Sequence, residues 1–253
     1  MLSNYTKRYS ITTYGGIKWN ILTGFEQAII NGTTTYYLID YGISSIVAFN
    51  QYWAYESYKY LPIANTYATK YVDGFFYFAA DGYFYKTSTS SFTTLNYYQN
   101  IGANYRQFFF DSNGSKFYVT STSLNRIDIF DTSCSLLQSI SLGNQSPYGL
   151  AFLGGNTLYA GVLSSQIIVI QNNVVSKYFS LPTCSHSSYI SVTIDSFGNL
   201  AISCFLESAI FLYDSNGNYL NISIQTTGNP FMTAIDSNGR FVVMTQKSLE
   251  IFY

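Results

Sequence analysis

Few side chains in this sequence could carry out acid–base or nucleophilic chemistry, and they are widely spaced. The 253 residues contain one histidine, His186, with Cys184 two residues before it. A thiol beside an imidazole could form a nucleophilic pair, but no carboxylate that could orient the imidazole is close in sequence. We therefore interpret His186 as a histidine of a surface loop.

The three cysteines lack the spacing of a metal site. Cys134, Cys184 and Cys204 are far apart, odd in number and form no CxxC pair. Structural zinc sites usually take their ligands from closely spaced pairs. The sequence therefore predicts free, partly buried thiols and no zinc site.

The distribution of charge argues against two classes of partner. Twelve basic and 13 acidic residues give a net charge of −1, and they are scattered singly. No basic run could follow a phosphate backbone, so we expect no nucleic-acid partner. No apolar segment is long enough to span a membrane, and none resembles a secretory leader. The compartment stays open, with the cytoplasm as the default.

The elements that must position the remaining side chains are β-strands. Hydrophobic residues make up 47% of the chain, with 26 Tyr and 20 Phe, which fit half-buried pleated surfaces. In residues 188–220, apolar residues alternate with polar ones between turns rich in Asp, Asn and Gly. This pattern predicts four consecutive antiparallel strands, and no stretch of the chain favours a helix.

The four-strand unit recurs along the whole chain. Its first turn contains a glycine at intervals of 40 to 43 residues, at Gly32, Gly74, Gly114, Gly155, Gly198 and Gly239. A four-stranded repeat of this length is the blade of a β-propeller. We predict an all-β, six-bladed β-propeller of four-stranded antiparallel blades that forms a single domain over residues 1–253. The predicted blades span about 15–61, 62–101, 102–143, 144–183, 184–229 and 230–253.

The last of these blades has only three strands before the sequence stops. Residues 4–13 form a strand-like run that belongs to no blade of its own. Beside residues 249–253, this N-terminal strand would complete the last blade and close the ring. Closure removes exposed sheet edges that would otherwise pair with other chains.

The blades resemble NHL-type repeats. The resemblance is clearest in VTSTSLNRIDIFD, where Asn125-Arg126-Ile127 precede Phe130-Asp131. It implies a structural role for Arg126, in pinning neighbouring strands. It also implies a non-enzymatic scaffold that binds other proteins, as in repeats that accompany ubiquitin-ligase domains.

A more distant resemblance is to six-bladed lactonases of the SMP-30/gluconolactonase type, which hold a divalent metal on the axis. The blade alignment places Glu26, Ala68, Arg106, Tyr148, Ile190 and Phe231 near the channel mouth. That family would have Glu, Asn and Asp at the positions of Glu26, Tyr148 and Ile190. Only Glu26 fits, and a phenol and an isoleucine cannot replace oxygen ligands of a hard cation. We therefore expect no metal, no cofactor and no catalytic residues.

The mouth of the channel remains the best candidate for a binding face. Its predicted residues are Glu26, Arg106, Tyr148, Tyr189 and Phe231, with Glu26 and Arg106 either paired across the mouth or separately solvated. Aromatic side chains bury much area with few rotamers, which suits a protein or peptide ligand. A hydrolase that has lost most of its metal ligands and a glycan-binding propeller are the alternatives. Trp53 and Tyr55 are predicted as exposed aromatics of a loop.

Overall fold

Extended backbone dominates the computed structural model, which describes residues 7–18, 20–185, 189–246 and 248–253. Within these residues the single helix is a 3₁₀ turn at Tyr41–Ile43, and no helix there could cross a membrane. The strands, β1 to β24 in chain order, are Lys7–Ile11, Thr13–Tyr14, Ile17–Lys18, Leu22–Ile30, Thr33–Asp40, Ser45–Asn50, Tyr55–Tyr60, Thr66–Val72, Phe75–Ser88, Thr94–Asp111, Lys116–Ser121, Arg126–Asp131, Leu136–Ser141, Pro147–Gly154, Thr157–Val162, Gln166–Gln171, Val174–Ser180, Ile190–Ile194, Leu200–Cys204, Ala209–Tyr213, Tyr219–Gln225, Pro230–Ile235, Phe241–Thr245 and Leu249–Phe252.

Most strands belong to four-stranded antiparallel sheets in which consecutive strands are neighbours. Three of these sheets are β4 to β7, β14 to β17 and β18 to β21, and a fourth has the order β22-β23-β24-β1. Short turns join the strands, so each strand pairs with the one that follows it in sequence. The prediction of an all-β fold made of four-stranded antiparallel blades is confirmed for these sheets.

The predicted count of six separate blades is not confirmed, because residues 66–141 form one sheet of six strands, β8 to β13. The structure therefore has five large sheets and a two-stranded hairpin, β2-β3. In β9, residues up to Ala80 pair with β8 and residues from Asp81 pair with β10. Gly82, at a positive φ of 76°, interrupts the extended backbone at this change of partner without ending the strand.

The predicted pairing of the two ends of the chain is confirmed over residues 7–11. Strand β1 lies antiparallel to β24, with Ser10 opposite Glu250 and Ile11 opposite Leu249. The rest of the predicted strand behaves differently: Thr13 belongs to the short hairpin, and residues 4–6 lie outside the described residues. The last sheet therefore has four strands, three from the C-terminal part of the chain and β1 from the N-terminal part.

A recurring Asp-Ser-x-Gly turn joins several strand pairs. In three copies, which begin at Asp195, Asp214 and Asp236, the carboxylate accepts hydrogen bonds from the backbone N–H groups two and four residues later, at 2.8–3.0 Å. The glycine in each of these turns has a positive φ of 75° to 94°, a conformation that costs little without a Cβ. The fourth copy begins at Asp111 and has only the bond from the N–H two residues later, at 3.1 Å, and there the positive φ falls on Ser115. The sequence pattern therefore favours this turn without determining it alone.

The apolar core lies between neighbouring sheets rather than in one central mass. One cluster joins the sheet of β4 to β7, through Leu22 and Tyr36, to Met244 and Leu249 of the last sheet. Another joins Ile167 of β16 to the sheet of β18 to β21. Because each sheet packs both faces against its neighbours, the sheets stand around a common axis, as in a β-propeller.

Trp53 belongs to this core, and its prediction as an exposed aromatic is wrong. Its side chain is buried, and its ring stacks on Tyr36 with centroids 4.2 Å apart. The turn before β7 folds Trp53, at φ +65°, back over the sheet face that meets the last sheet. Tyr55, the first residue of β7, is exposed as predicted.

The cysteine prediction is also wrong for two of the three thiols. Cys184 and Cys204 form a disulfide, and Cys134 is free and buried. The segment after β17 returns to the end of β19 and brings Cys184, 20 residues away in sequence, beside Cys204. The linear spacing carried no sign of this contact, because it depends on how the inter-sheet segment packs.

Thiol titration tests this assignment. Burial raises the pKa of the Cys134 thiol to about 12, so the native chain should react slowly with Ellman's reagent. We expect one reactive thiol per chain unfolded in guanidinium without reductant, and three after reduction and removal of the reductant. Three thiols in the unreduced, unfolded chain would contradict the disulfide.

A close approach of two innermost strands depends on glycine. A Cβ on Gly149 of β14 would lie 2.5 Å from the carbonyl oxygen of Ile190 and 2.7 Å from the backbone nitrogen of Val192. Backbone atoms of a packed strand cannot move aside without separating the sheets. Gly102 is a matched control, since its Cβ would meet only ordinary contacts at 3.6 Å or more.

We therefore expect Gly149→Ala to destabilise the fold by roughly 2–3 kcal/mol, the usual cost of overpacking, and Gly102→Ala to leave stability nearly unchanged. Urea denaturation of both variants and the parent chain measures the difference. Equal midpoints for the two variants would show that β14 and β18 are not in this close contact.

Candidate functional site

A cavity of about 410 Å³ opens at one end of the propeller axis. Six of its lining residues come one from each sequence repeat. Thr23, Tyr67, Tyr148, Tyr189 and Phe231 lie at the start of the innermost strands, and Arg106 lies near the start of the part of β10 that pairs with β11. Side chains at equivalent positions of strands arranged around an axis converge on that axis. The cavity is therefore a product of the repeat and belongs to no single sheet.

A second set of lining residues follows the end of the second strand of each repeat. In an antiparallel pair, the second strand ends where the first begins, so both sets lie at the same end of the axis. The members of this set are Tyr41, Thr122, Leu163, Phe205 and Gln246. Asp81 holds the same position in the second repeat, next to the cavity, where β9 continues instead of ending.

Aromatic rings form most of the cavity wall. Tyr189 is central, with its ring centroid 4.9 Å from Tyr148, 5.3 Å from Phe205 and 6.2 Å from Phe231. Phe205 and Phe231 are 4.8 Å apart. Such tilted and edge-to-face contacts are the favoured geometry of aromatic pairs. We call these four rings the aromatic cluster.

Arg106 is the single charged residue among those that line the cavity. Its guanidinium carbon lies 3.7 Å from the ring centroid of Tyr67, and its Nη1 atom donates to Asp81 Oδ1 at 2.5 Å. Nη1 also donates to the carbonyl oxygen of Tyr105 at 3.3 Å. The ring and the carboxylate hold the guanidinium in place on the wall opposite β22 and leave it only slightly exposed.

Two tyrosines of the cavity wall, Tyr67 and Tyr148, are neutral. Burial raises the pKa of Tyr67 and of Tyr148 above the ordinary value for a phenol, with Arg106 opposing the effect in both cases. Because a buried phenolate would be poorly solvated, both hydroxyls keep their protons at neutral pH. At these two positions the wall therefore offers ring faces and hydroxyl groups without a phenolate charge.

The structure brings together four of the five predicted mouth residues: Arg106, Tyr148, Tyr189 and Phe231 all line this cavity. Glu26 does not. Its carboxylate pairs with Lys70 at 3.0 Å, so the predicted alternative of a Glu26–Arg106 pair is not formed. The mouth position of the first repeat belongs instead to Thr23, three residues earlier, because β4 is nine residues long and a count of four residues back from Ile30 stops in the middle of the strand.

Glu26 lines a second cavity, of about 340 Å³, farther along the axis. Its other walls are mostly apolar and include Phe108, Phe110 and Met232, with Lys70 at the edge. Burial raises the pKa of Glu26 from 4.5 to about 7, although the ammonium of Lys70 acts in the opposite direction. This carboxyl is thus isolated from the mouth.

The buried amide of Gln107 lies between the two cavities. Its Nε2 atom donates to Ser191 Oγ at 3.0 Å, and its Oε1 atom accepts from the backbone N–H of Leu150 at 3.2 Å. On the same strand, Arg106 lines the mouth and Phe108 lines the second cavity. A hydrogen-bonded partition therefore separates an aromatic chamber from a chamber that holds an ion pair.

The described residues contain no group of three or more His, Cys, Asp or Glu side chains that could hold a metal. At the lactonase-like positions, Tyr148 lies in the mouth wall and Ile190 in the core between sheets. His186 lies outside the described residues. Arg126, predicted as structural, pairs with Asp128 at 2.8 Å, and Asp128 accepts from the hydroxyl of Tyr105 on β10.

Sequence reasoning missed the lining residues that follow the second strands, such as Tyr41, Phe205 and Gln246. The repeat contained a signal for them, because each stands directly after a predicted strand end. It missed Tyr67 and Asp81 for a different reason. The alignment of the second repeat was placed one residue late, and no strand end marks Asp81.

Comparison with known proteins identifies the fold. No family model matches the chain, so the NHL resemblance has no support from a family match, and no curated protein matches it. A streptogramin B lyase structure matches with a TM-score of 0.73 and 12% identity, covering 98% of each chain. The WD40 β-propeller domain of Doa1 matches with a TM-score of 0.70 and 12% identity, covering 92% of this chain and 78% of that one.

A virginiamycin B lyase from Staphylococcus aureus gives a TM-score of 0.70 at 13% identity, over 96% of this chain and 82% of that one. The matched structures include both lyases and a WD40 domain. At such low identities they establish one property of this chain, which is that it has a β-propeller fold.

The pKa of Glu26 predicts a pH dependence of stability. The folded-state value of about 7 exceeds the ordinary 4.5, so the folded chain keeps a proton that the unfolded chain releases. This contribution is complete below the unfolded value and is lost as the pH rises through about 7. Relative to Glu26→Gln, the parent chain should lose on the order of 3 kcal/mol between pH ~4 and pH ~8.

Urea denaturation across that range measures the difference. Lys70→Met is the matched control for the pair, because removal of the ammonium should raise the pKa of Glu26 further and enlarge the loss. Parallel pH curves for the parent and Glu26→Gln would contradict the buried position of this carboxyl.

Proposed function

We propose that the protein is a non-enzymatic binding module that holds a segment of a protein or peptide in the mouth cavity. The observation that carries this proposal is the aromatic cluster on the axis, Tyr148, Tyr189, Phe205 and Phe231, beside the guanidinium of Arg106. Aromatic and arginine side chains are the residue types that dominate binding energy at protein interfaces. Here a rigid ring of sheets holds them in one concave site.

The size and opening of the cavity support a peptide ligand. A volume of about 410 Å³ accommodates one large side chain with its adjacent backbone, and the site is open to solvent on one side. Tyr189 is 40% exposed, so a ligand can contact the cluster without unfolding any strand. A segment of a larger protein can thus insert one side chain while the rest lies across the rim.

A glycan is the second candidate ligand. Sugars stack on aromatic faces and need neighbouring hydroxyl or amide groups, and Thr122 and Gln246 line the same cavity. The hydrolase alternative loses its one sequence feature, because Glu26 lies beyond the Gln107 partition and pairs with Lys70. Peptide remains the first choice, since the wall is mainly aromatic.

The proposal also includes a six-repeat, NHL-like organisation over residues 1–253 as one domain. Two facts support two repeats within the six-stranded sheet. The register of β10 against β9 shifts between Gln99 and Asn104, near the predicted boundary at residue 101. In addition, the six-stranded sheet supplies two lining residues at mouth positions, Tyr67 from β8 and Arg106 from β10, where each other sheet supplies one.

Alanine substitutions in the cluster test the binding face. Heptapeptides selected by phage display on the parent chain serve as ligands, and titration calorimetry gives their Kd. We expect Tyr189→Ala and Phe231→Ala to weaken binding at least tenfold, since truncation of a central aromatic residue commonly costs about 2 kcal/mol. Both side chains are partly exposed, so stability should change little.

Phe197→Ala is the matched control, because Phe197 is an equally large ring that is 85% exposed in the turn after β18, at the far end of that strand from Tyr189. Its substitution should leave Kd unchanged. Equal affinity of the selected peptides for Phe231→Ala and for the parent chain would show that the mouth is not the binding face. Binding of the parent chain to sugars on a glycan array would favour a glycan as the ligand.

A further inference from the structure

The charges and hydrogen-bonding groups around the mouth restrict what kind of peptide it could hold. Resting on the function proposed above, we propose that the mouth takes an uncharged segment with a tryptophan or tyrosine side chain beside a free backbone amide. The side chain inserts into the aromatic cluster, and the amide completes the hydrogen bonding of Arg106 and Asp81. Three separate features of the site lead to this ligand class.

The first feature is the balance of charge. Arg106 is the one charged lining residue, and its charge is already matched by Asp81 at 2.5 Å. The next ion pair, Glu26–Lys70, lies beyond the Gln107 partition. A charged ligand group would lose its hydration in the cavity and find no unmatched partner there, which is unfavourable. The site therefore favours a ligand of zero charge.

The second feature is a set of hydrogen-bonding atoms of Arg106 and Asp81 at the rim of the cavity that have no partner among the described residues. Within the described residues, the Nε and Nη2 atoms of Arg106 donate to no protein acceptor, and Asp81 Oδ2 accepts from no protein donor. A residue in extended conformation presents its own backbone N–H and C=O on the same side of the chain. These two groups can therefore bond to Asp81 and Arg106 at once, whereas a carboxylate would face the repulsion of Asp81 and an ammonium that of Arg106.

The third feature is a buried hydroxyl in the cavity wall. Thr23 is 5% exposed and lines the mouth, yet its Oγ1 atom has no hydrogen-bond partner among the described residues. Buried hydroxyl groups are normally satisfied, so this atom marks a position for a ligand group. An indole N–H or a phenol hydroxyl at the tip of an inserted ring can bond to it, while phenylalanine and leucine cannot.

A set of blocked tripeptides tests the ligand class on the full chain. The probes are acetyl-Gly-Trp-Gly-amide, its Phe and Leu counterparts, and acetyl-Glu-Trp-Glu-amide and acetyl-Lys-Trp-Lys-amide. Ligand-detected NMR titrations give each Kd at low and high NaCl. We expect Trp to bind on the order of fivefold tighter than Leu, the range expected from ring–ring contacts. Both charged probes should bind more weakly than the neutral one, whose Kd should not depend on salt.

Two substitutions separate the features. Thr23→Val keeps the shape and removes the hydroxyl, so the preference for Trp over Phe should disappear while Phe binding stays constant. Asp81→Asn leaves Arg106 unmatched, so the acidic probe should gain affinity and become the preferred ligand, with a Kd that rises with salt. Phe197→Ala is the control and should change no Kd.

The outcomes distinguish this inference from the function on which it rests. Tighter binding of a charged probe to the parent chain, or equal binding of Trp and Leu probes, overturns the ligand class. Absence of binding by every tripeptide overturns it too, and the proposed function then still stands if the display-selected peptides depend on Phe231. If no tripeptide binds and the display-selected peptides bind Phe231→Ala as well as the parent chain, both proposals are wrong.

Discussion

The buried amide of Gln107 ties three of the innermost strands of the propeller together. It bonds to Ser191 on β18 and to the backbone of Leu150 on β14, while its own backbone N–H donates to the hydroxyl of Thr120 on β11. A buried amide is costly unless its polar atoms are all bonded, so these strands cannot slide along one another independently. The network therefore fixes the positions of Arg106 and Tyr148, and of the strands to which they belong, along the propeller axis.

The high tyrosine content has a related physical reason. Some buried tyrosines fill the space between neighbouring repeats with the ring and bond to the next repeat's turn with the hydroxyl. Tyr159 donates to the carbonyl oxygen of Ser215 in the neighbouring sheet, and Tyr77 donates to that of Thr132 within the six-stranded sheet. Phenylalanine would supply the same apolar area without the bond, and a polar residue would supply the bond without the area. Tyrosine supplies both where sheets meet at an angle.

The two cavities on the axis differ in their electrostatics. On the mouth side, Arg106 is matched by Asp81, and burial raises the pKa of Tyr67 and Tyr148 so that both keep their protons. On the other side, burial makes the carboxyl of Glu26 hold its proton more tightly than usual. One scaffold thus carries an aromatic cavity with a matched ion pair at one end and the Glu26–Lys70 pair farther in.

Local chemistry explains what the sequence by itself determined: the alternating strands, most of the Asp-Ser-x-Gly turns and the period that places Arg106, Tyr148 and Phe231 at equivalent positions. These features depend on residues within a few positions of one another. The pairing of Cys184 with Cys204, the burial of Trp53 and the shift of Glu26 out of the mouth depended on the tertiary structure. The first two arise where segments distant in sequence pack together, which a repeat period along the sequence does not describe. The third arises because β4 is nine residues long, so that a fixed count back from its turn does not reach the mouth.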